Sequence, residues 1–358
     1  MRNCPGGEIG RHKGLKIPRE KSRAGSSPAL GTITMKIILT GAAGFIGMHT
    51  ARIMLEKGYE VTGVDNLNDY YDVSLKENRI KLLNNYKKFK FVKLDIADSK
   101  KFEDLVKKIK PFLLIHLAAQ AGIRYSFKNP NAYIHSNIVG TNNVFEACRK
   151  SEIKNILFAS SSSIYGKSEK NYFSEDDPII VPESLYAATK QSNEMVANIY
   201  SKLYKMNIVG LRFFTVYGPW GRPDMAPFLF TDAILNGRKI KVFNNGEMSR
   251  DFTFIDDISN SIYLLSQSKD LWSKDQNFQI FNIGNGKPVN LMHFIETIES
   301  NLGKKAKIEF EPMQPGDVPH THASTDLLFN SIKFRPIVSI NEGIKFFIDW
   351  YKEYYKID

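Results

Sequence analysis

Cysteine occurs only twice in the 358 residues, at Cys4 and Cys148, so the chain has no disulfide framework and no cysteine-built zinc site. A reducing, cytoplasmic setting is the expectation that follows. No apolar run approaches the roughly 20 residues that a membrane-crossing helix needs, so no membrane association is expected. Internal repeats are lacking. Histidine is sparse as well, and its one close pair, His320 and His322, has no carboxylate or cysteine nearby; no metal is expected. Aromatic and basic residues do not interleave in the manner of a nucleic-acid surface, which excludes that partner.

The first 34 residues lack apolar periodicity and any signal-peptide core, and are rich in Gly, Pro, Ser and basic side chains. They hold seven Lys/Arg against two Glu, so five of the eleven net positive charges sit there and +6 remains on the rest. That residual charge suits anionic small molecules. Residues 1–34 are expected to be a disordered or non-native leader, with Met35 directly before the first strand.

What is present is organised around Met35 to Asp65. Lys36–Leu39 is a short β-branched apolar run, the pattern of a buried strand. It stops at Thr40, and Gly41, Gly44 and Gly47 follow at three-residue spacing. In such a triplet the first glycine permits the turn, the second lets backbone approach a pyrophosphate, and the third lets the new helix pack on its strand. The helix runs to about Lys57 and stops at Gly58. A second strand, Tyr59–Val64, delivers Asp65, 18 residues past Gly47, where a carboxylate meets an adenosine ribose. A glycine-rich turn in an unrelated unit would have no reason to carry that acid in register. Asp65 favours a free 2′-hydroxyl, hence NAD over NADP.

Alternation continues with a helix near Leu75–Leu83, strands at Phe89–Leu94, Phe112–Leu117 and Asn155–Ala159, and helices at Lys100–Lys110 and about Tyr133–Lys150. The expected fold is α/β, a Rossmann-type doubly wound parallel sheet with ligands at the carboxyl ends of its strands. From about Phe214 the rhythm breaks in a proline-crowded loop. Short strands at Ile240–Phe243, Gln279–Ile283 and Lys307–Phe310 and helices at about Ile258–Ser266, Leu291–Asn301 and Asn341–Tyr354 are expected to form a smaller α+β lobe. The division is thus 35–213 for the dinucleotide and 214–358 mainly for substrate.

Ser184 opens a helix running to about Tyr204 that carries Tyr186 and Lys190 at i and i+4, on one face. An ordinary phenol, with a pKa of about 10, is too weak a base at neutral pH; a neighbouring ammonium and a cationic nicotinamide would bring it toward the working range. The same spacing occurs at Tyr86 and Lys90, but only Tyr186 follows the run Ser160-Ser161-Ser162-Ser163 at the cofactor edge of the sheet.

From Met35 onward the chain resembles the nucleotide-sugar branch of the extended short-chain dehydrogenase/reductase superfamily. The resemblance lies in Thr40–Gly47, Asp95-Ile96, Leu117–Ala119, Asn137–Gly140, the serine run, Tyr186 with Lys190, and Arg212–Pro219. Within that branch it is most similar to UDP-glucuronate 4-epimerases, through Asn66–Lys76, Gln120–Ser126, Thr215–Met225, Arg250–Asp257 and Met313–Val318. The resemblance implies a redox cycle on tightly held NAD, gripped by Gly41, Gly44, Phe45, Ile46, Gly47, Asp65, Asn66, Asp95, Ile96, Leu117, Ala118, Ala119 and Phe213 together with Tyr186 and Lys190. Tyr186 would take the proton of the sugar 4-hydroxyl, Lys190 would anchor the nicotinamide ribose and lower the phenol's pKa, and Ser161 would hydrogen-bond the 4-oxygen. Ser162 and Ser163 would line the same pocket. Related dehydratases carry Asp-Glu at those two places and related decarboxylases a Glu at the second; hydroxyls alone leave no extra acid or base, which favours epimerisation.

For the substrate, Arg222 and Arg124 are expected at the glucuronate carboxylate, since Arg offers a bidentate fork. The resemblance further places Arg250 at the UDP phosphates or uridine, Gln314 and Asp317 at the uridine ribose, and Thr215 between sugar and diphosphate. The stretch His320-Thr321-His322 departs from the family, which has an aromatic and then an acid there. A UDP-sugar substrate and a homodimer are implied, the latter through the helices near Tyr133–Lys150 and Ser184–Tyr204. Alternatives are a 4-epimerase of another UDP-sugar, such as UDP-N-acetylglucosamine or UDP-glucose, and an idle dinucleotide sensor, which would have no need of Ser161, Tyr186 and Lys190.

Overall fold

The computed structural model describes residues 35–166, 172–179, 181–273, 277–314 and 316–357; the leader lies outside them. The strands β1 (Lys36–Thr40), β2 (Glu60–Asp65), β3 (Phe89–Lys93), β4 (Leu113–His116), β5 (Asn155–Ser161) and β6 (Asn207–Phe213) alternate with α1 (Phe45–Glu56), α2 (Val73–Leu83), α3 (Ser99–Ile109), α4 (Ile123–Lys128), α5 (Pro130–Tyr133), α6 (Thr141–Lys150) and α7 (Leu185–Tyr204). Among the described residues they build one parallel seven-stranded sheet, ordered β3-β2-β1-β4-β5-β6 and completed by Asn277–Ile283. The order reverses between β1 and β4, which opens a crevice at their carboxyl ends. Alternate residues of β1 serve opposite faces: Ile37 and Leu39 join the cluster under α1 and α2, while Ile38 joins the one under α3 and α6.

The second half supplies β7 (Thr215–Tyr217), β8 (Lys239–Phe243), β9 (Ser249–Phe254), β10 (Asn277–Ile283), β11 (Pro288–Asn290) and β12 (Lys307–Glu311). Its helices are α8 (Ala226–Leu235), α9 (Ile255–Gln267), α10 (Lys269–Trp272), α11 (Leu291–Leu302), α12 (Asp326–Ile332) and α13 (Ile340–Tyr355). β11, β9 and β7 form a three-stranded sheet, and β12 pairs with β8.

Three features differ from the sequence expectation. β10 does not belong to the small lobe: all seven of its residues pair in parallel with β6. β6 itself was not anticipated, because Arg212 interrupts its apolar run; the strand buries that charge against Glu194. The long helix expected at Tyr133–Lys150 begins with a π-helix at Ile134–Gly140, a widening common at functional sites.

Candidate active site

The glycine turn forms the floor of the crevice. Gly41 has φ +76°, and a methyl there would lie 2.7 Å from the Ala118 nitrogen. A methyl on Gly47 would lie 1.9 Å from the Gly41 carbonyl oxygen, so α1 packs on its strand only without a side chain there. Gly44 caps α1 with backbone alone, leaving first-turn N–H groups for an anion. These features fit a dinucleotide pyrophosphate. Asp65 accepts from the Ala43 N–H at 3.1 Å and the Leu67 N–H at 2.9 Å. Burial pushes its carboxyl up, opposed by those N–H groups and by Lys76. Asn66 donates to Asp95 at 3.0 Å. Burial acts upward on Asp95 too, but the Ala97 N–H, Asn66 and His135 outweigh it and hold the carboxyl below its usual range.

These residues line one cavity of about 990 Å³, with Phe45, Ile46, Ile96, Leu117, Ala118, Ala119 and Phe213 in its wall beside Ser161, Ser162, Ser163, Tyr186 and Lys190. Ser184 caps α7 by accepting from the Ala187 N–H at 3.1 Å, which starts the helix where Tyr186 faces the crevice. The phenol is pushed up by burial, eased by the neighbouring Ser161 hydroxyl and by the charge of Arg222. The Ser161 and Ser163 hydroxyls lie 3.1 Å apart.

Lys190 stands beside that phenol: its Nζ lies 6.0 Å from the ring centroid and donates to the Ala159 carbonyl at 2.9 Å. One helical turn carries the ammonium down onto β5, and the charge of Arg222 acts on the phenol as well. Burial pulls Lys190 down to about 8, against the pull of Glu194. Glu194 was not foreseen in the sequence, although it stands one turn beyond Lys190. It forms a buried fork with Arg212 at 3.0 and 2.8 Å and accepts from Ser160, so the strand bearing Ser161 and the helix bearing Lys190 are locked together. The π-helix contributes Asn137, which accepts from the Gln120 N–H at 2.8 Å and donates to Thr189 at 3.0 Å. Thr189 donates to the Tyr186 carbonyl at 2.8 Å.

At the far end Arg222 lines the cavity; its Nε donates to Asp224 at 3.0 Å, and the Tyr70 hydroxyl donates to the same carboxylate at 3.0 Å. Gly122, φ +98°, leaves room for this cluster, since a Cβ there would lie 2.8 Å from the Tyr70 oxygen. Arg124 lines the same cavity as Arg222. It pairs with Asp317 at 3.2 Å and lies 4.8 Å from the Phe243 ring centroid, among the groups expected around uridine. Arg250 donates to the Ser249 and Pro319 carbonyls at 2.9 Å each, and Thr215 lines the cavity between the two ends. Gln314 stands outside the lining; its carbonyl accepts from the Asp317 N–H at 3.2 Å. His320 contacts Ser249 at 2.9 Å and His322 the Gly286 carbonyl at 3.1 Å, in different directions, while Thr321 accepts from the Asp251 N–H at 3.1 Å. Among the described residues there is no cluster able to hold a metal ion, and no helix long and apolar enough to cross a membrane.

A family model described as the NAD dependent epimerase/dehydratase family matches residues 37–284. Protein CapI of Staphylococcus aureus is 49% identical over 337 residues, covering 90% of this chain and all of that protein. A probable UDP-glucuronate 4-epimerase of Rhizobium meliloti is 45% identical over 335 residues, covering 90% of this chain and 98% of its own. The crystal structure of UDP-glucuronic acid 4-epimerase from Bacillus cereus, in complex with UDP-glucuronic acid and NAD, superposes with a TM-score of 0.84 at 33% identity, covering 90% of this chain and all of that one.

Proposed function

The chain belongs to the NAD dependent epimerase/dehydratase family, and from that premise we propose that it is an NAD-dependent 4-epimerase interconverting UDP-glucuronate and UDP-galacturonate through a 4-keto sugar. Bound in the crevice, NAD supplies the acceptor and later the donor of the hydride at C4. The turn 41–47 and the start of α1 hold its pyrophosphate. Asp65, buried at the adenosine end, takes a ribose hydroxyl and disfavours a 2′-phosphate. Tyr186 takes the 4-hydroxyl proton and returns it after the sugar has turned over. Ser161 holds the 4-oxygen beside the phenol, while Lys190, kept charged by Glu194, anchors the nicotinamide ribose. Arg250 and Asp317 hold the UDP end.

The observation that carries this reading is Arg222 in the same cavity as Tyr186, near enough to bias its ionisation, opposite a serine run of hydroxyls only. A guanidinium there fits a C6 carboxylate, and hydroxyls cannot drive elimination or decarboxylation. Relatives named UDP-glucuronate 4-epimerase, alike over nine-tenths of the chain, support it. Asp224 favours a second reading. Its hold on the Arg222 fork leaves a neutral pair, which would suit a UDP-sugar without a carboxylate.

Incubating the purified protein with UDP-glucuronate without added cofactor, then separating products by chromatography, tests both. UDP-galacturonate is expected, falling by about 10²–10⁴-fold in Tyr186→Phe. UDP-xylose or a 4-keto product would refute the serine-run reasoning, and turnover of UDP-glucose or UDP-N-acetylglucosamine alone would favour the second reading. We read residues 35–213 with β10 as the dinucleotide half and the rest as mainly the sugar half. A homodimer is supported by the stripe Met195, Ile199 and Leu203, exposed on α7 beside the similarly exposed Val139.

A further inference from the structure

The turn leading from β7 to Arg222 is held by an unusual set of bonds. Gly218 has φ +141° and Trp220 φ +63°, the latter a conformation that bulky residues avoid unless their surroundings impose it. Three successive carbonyls of this turn point at the dinucleotide half, and each is gripped by a side chain. Pro219 accepts from His49 Nε2 at 3.0 Å, Trp220 from Arg79 at 2.6 Å and Gly221 from Arg79 at 3.1 Å. The next residue is Arg222.

Arg79 is fully buried. With its other nitrogen it donates to the Ala43 carbonyl, inside the pyrophosphate turn, at 2.9 Å and to the Tyr71 hydroxyl at 2.7 Å. Its Nε is buried without a partner, and among the described residues none of its acceptors is a carboxylate. A buried guanidinium whose hydrogen bonds all go to neutral oxygens, with Asp65 acting on it only through space, is costly to keep, and an apolar residue would fill the same space. One guanidinium therefore grips both the turn that seats the dinucleotide and the turn that aims Arg222.

We propose that Arg79 is a positioning residue that couples the two, so that a dinucleotide fixing Ala43 also fixes the carbonyls of 220–221 and thereby the placement of Arg222 for the sugar's carboxylate. This rests on the reading that the crevice binds NAD and UDP-glucuronate. Coupling of this kind lets the acidic sugar be held properly only where the cofactor is already seated.

The test uses the full chain as wild type, Arg79→Lys and Arg79→Met. Lys keeps the charge but cannot fork to acceptors on two sides. Each protein is assayed for NAD retained through purification, then titrated calorimetrically in saturating NAD with UDP-glucuronate, UDP-glucose and UDP. Both variants are expected to retain less NAD and to lose about tenfold of the preference for UDP-glucuronate over UDP-glucose, with UDP binding unchanged. An unchanged preference in a folded variant overturns the proposal. So does an equal loss for both sugars, which marks a general packing role. A wild type that holds no NAD, or does not prefer UDP-glucuronate, overturns the reading of the site and the proposal with it, and is recognisable because no mutation is involved. If neither variant folds, amide exchange of residues 218–225 in the wild type decides. Slower exchange with NAD bound than after its removal supports the coupling, and identical exchange overturns it.

Discussion

Lys190 sits between two opposed influences. Burial draws it down to about 8, and Glu194 pushes back, so the carboxylate one turn away keeps the ammonium charged at neutral pH. Removing that carboxylate lowers the Lys190 pKa further, and the proton then leaves at lower pH. Glu194→Gln is therefore expected to move the alkaline limb of kcat/KM down by roughly one pH unit. It also strips Arg212 of its buried partner, at a cost of about 3–5 kcal/mol. A pH–rate profile and a thermal melt read the two effects separately. A melt that falls while the limb stays in place would assign Glu194 to structure alone. Tyr186 behaves differently: burial raises its phenol, and the Ser161 hydroxyl and the charge of Arg222 work against that rise.

The β1–α1 turn admits no side chain at its third glycine. Gly47→Ala would put a methyl 1.9 Å from the Gly41 carbonyl oxygen, with backbone on both sides of the clash. Helix and strand must part to make room. The expected outcome is a loss of more than about 3 kcal/mol of stability, together with loss of copurifying NAD, read by melting and by nucleotide release. The π-helix at Ile134–Gly140 works by the opposite device, widening a helix so that Asn137 reaches both Gln120 and Thr189. Nothing in the residue pattern of Ile134–Gly140 announces that widening. Helical periodicity predicts a continuous helix, and the widened turn is held by partners distant in sequence, Gln120 and Thr189 at Asn137 and Asp95 at His135.

Across the whole molecule the first half of the chain and the second are joined by polar side chains: Arg79 and His49 reach the 219–221 carbonyls, and Arg124 meets Asp317. The outer face of α7 carries Met195, Ile199 and Leu203, 65%, 51% and 67% exposed at i, i+4 and i+8. A stripe of that spacing suits pairing with a second copy. Ile199→Glu would bury a charge in such an interface, and light scattering is expected to give the mass of one chain where the wild type gives two. A wild type that already scatters as one chain would remove the dimer.

The sequence by itself determined the glycine turn, Asp65 at its distance, the serine run and the Tyr186–Lys190 pair. Each depends on backbone periodicity and spacing within a few dozen residues, and local geometry follows from those alone. It also determined the alternation that makes the sheet parallel. Only the tertiary structure decided that β10 completes that sheet, that Arg124 pairs with Asp317, that Glu194 pairs with Arg212, and that Arg79 bridges Ala43 and Trp220. In each case the choice belongs to side chains that meet across the fold. A charged residue in a sequence has many acceptors of equal chemistry, and packing selects among them by distance and by burial.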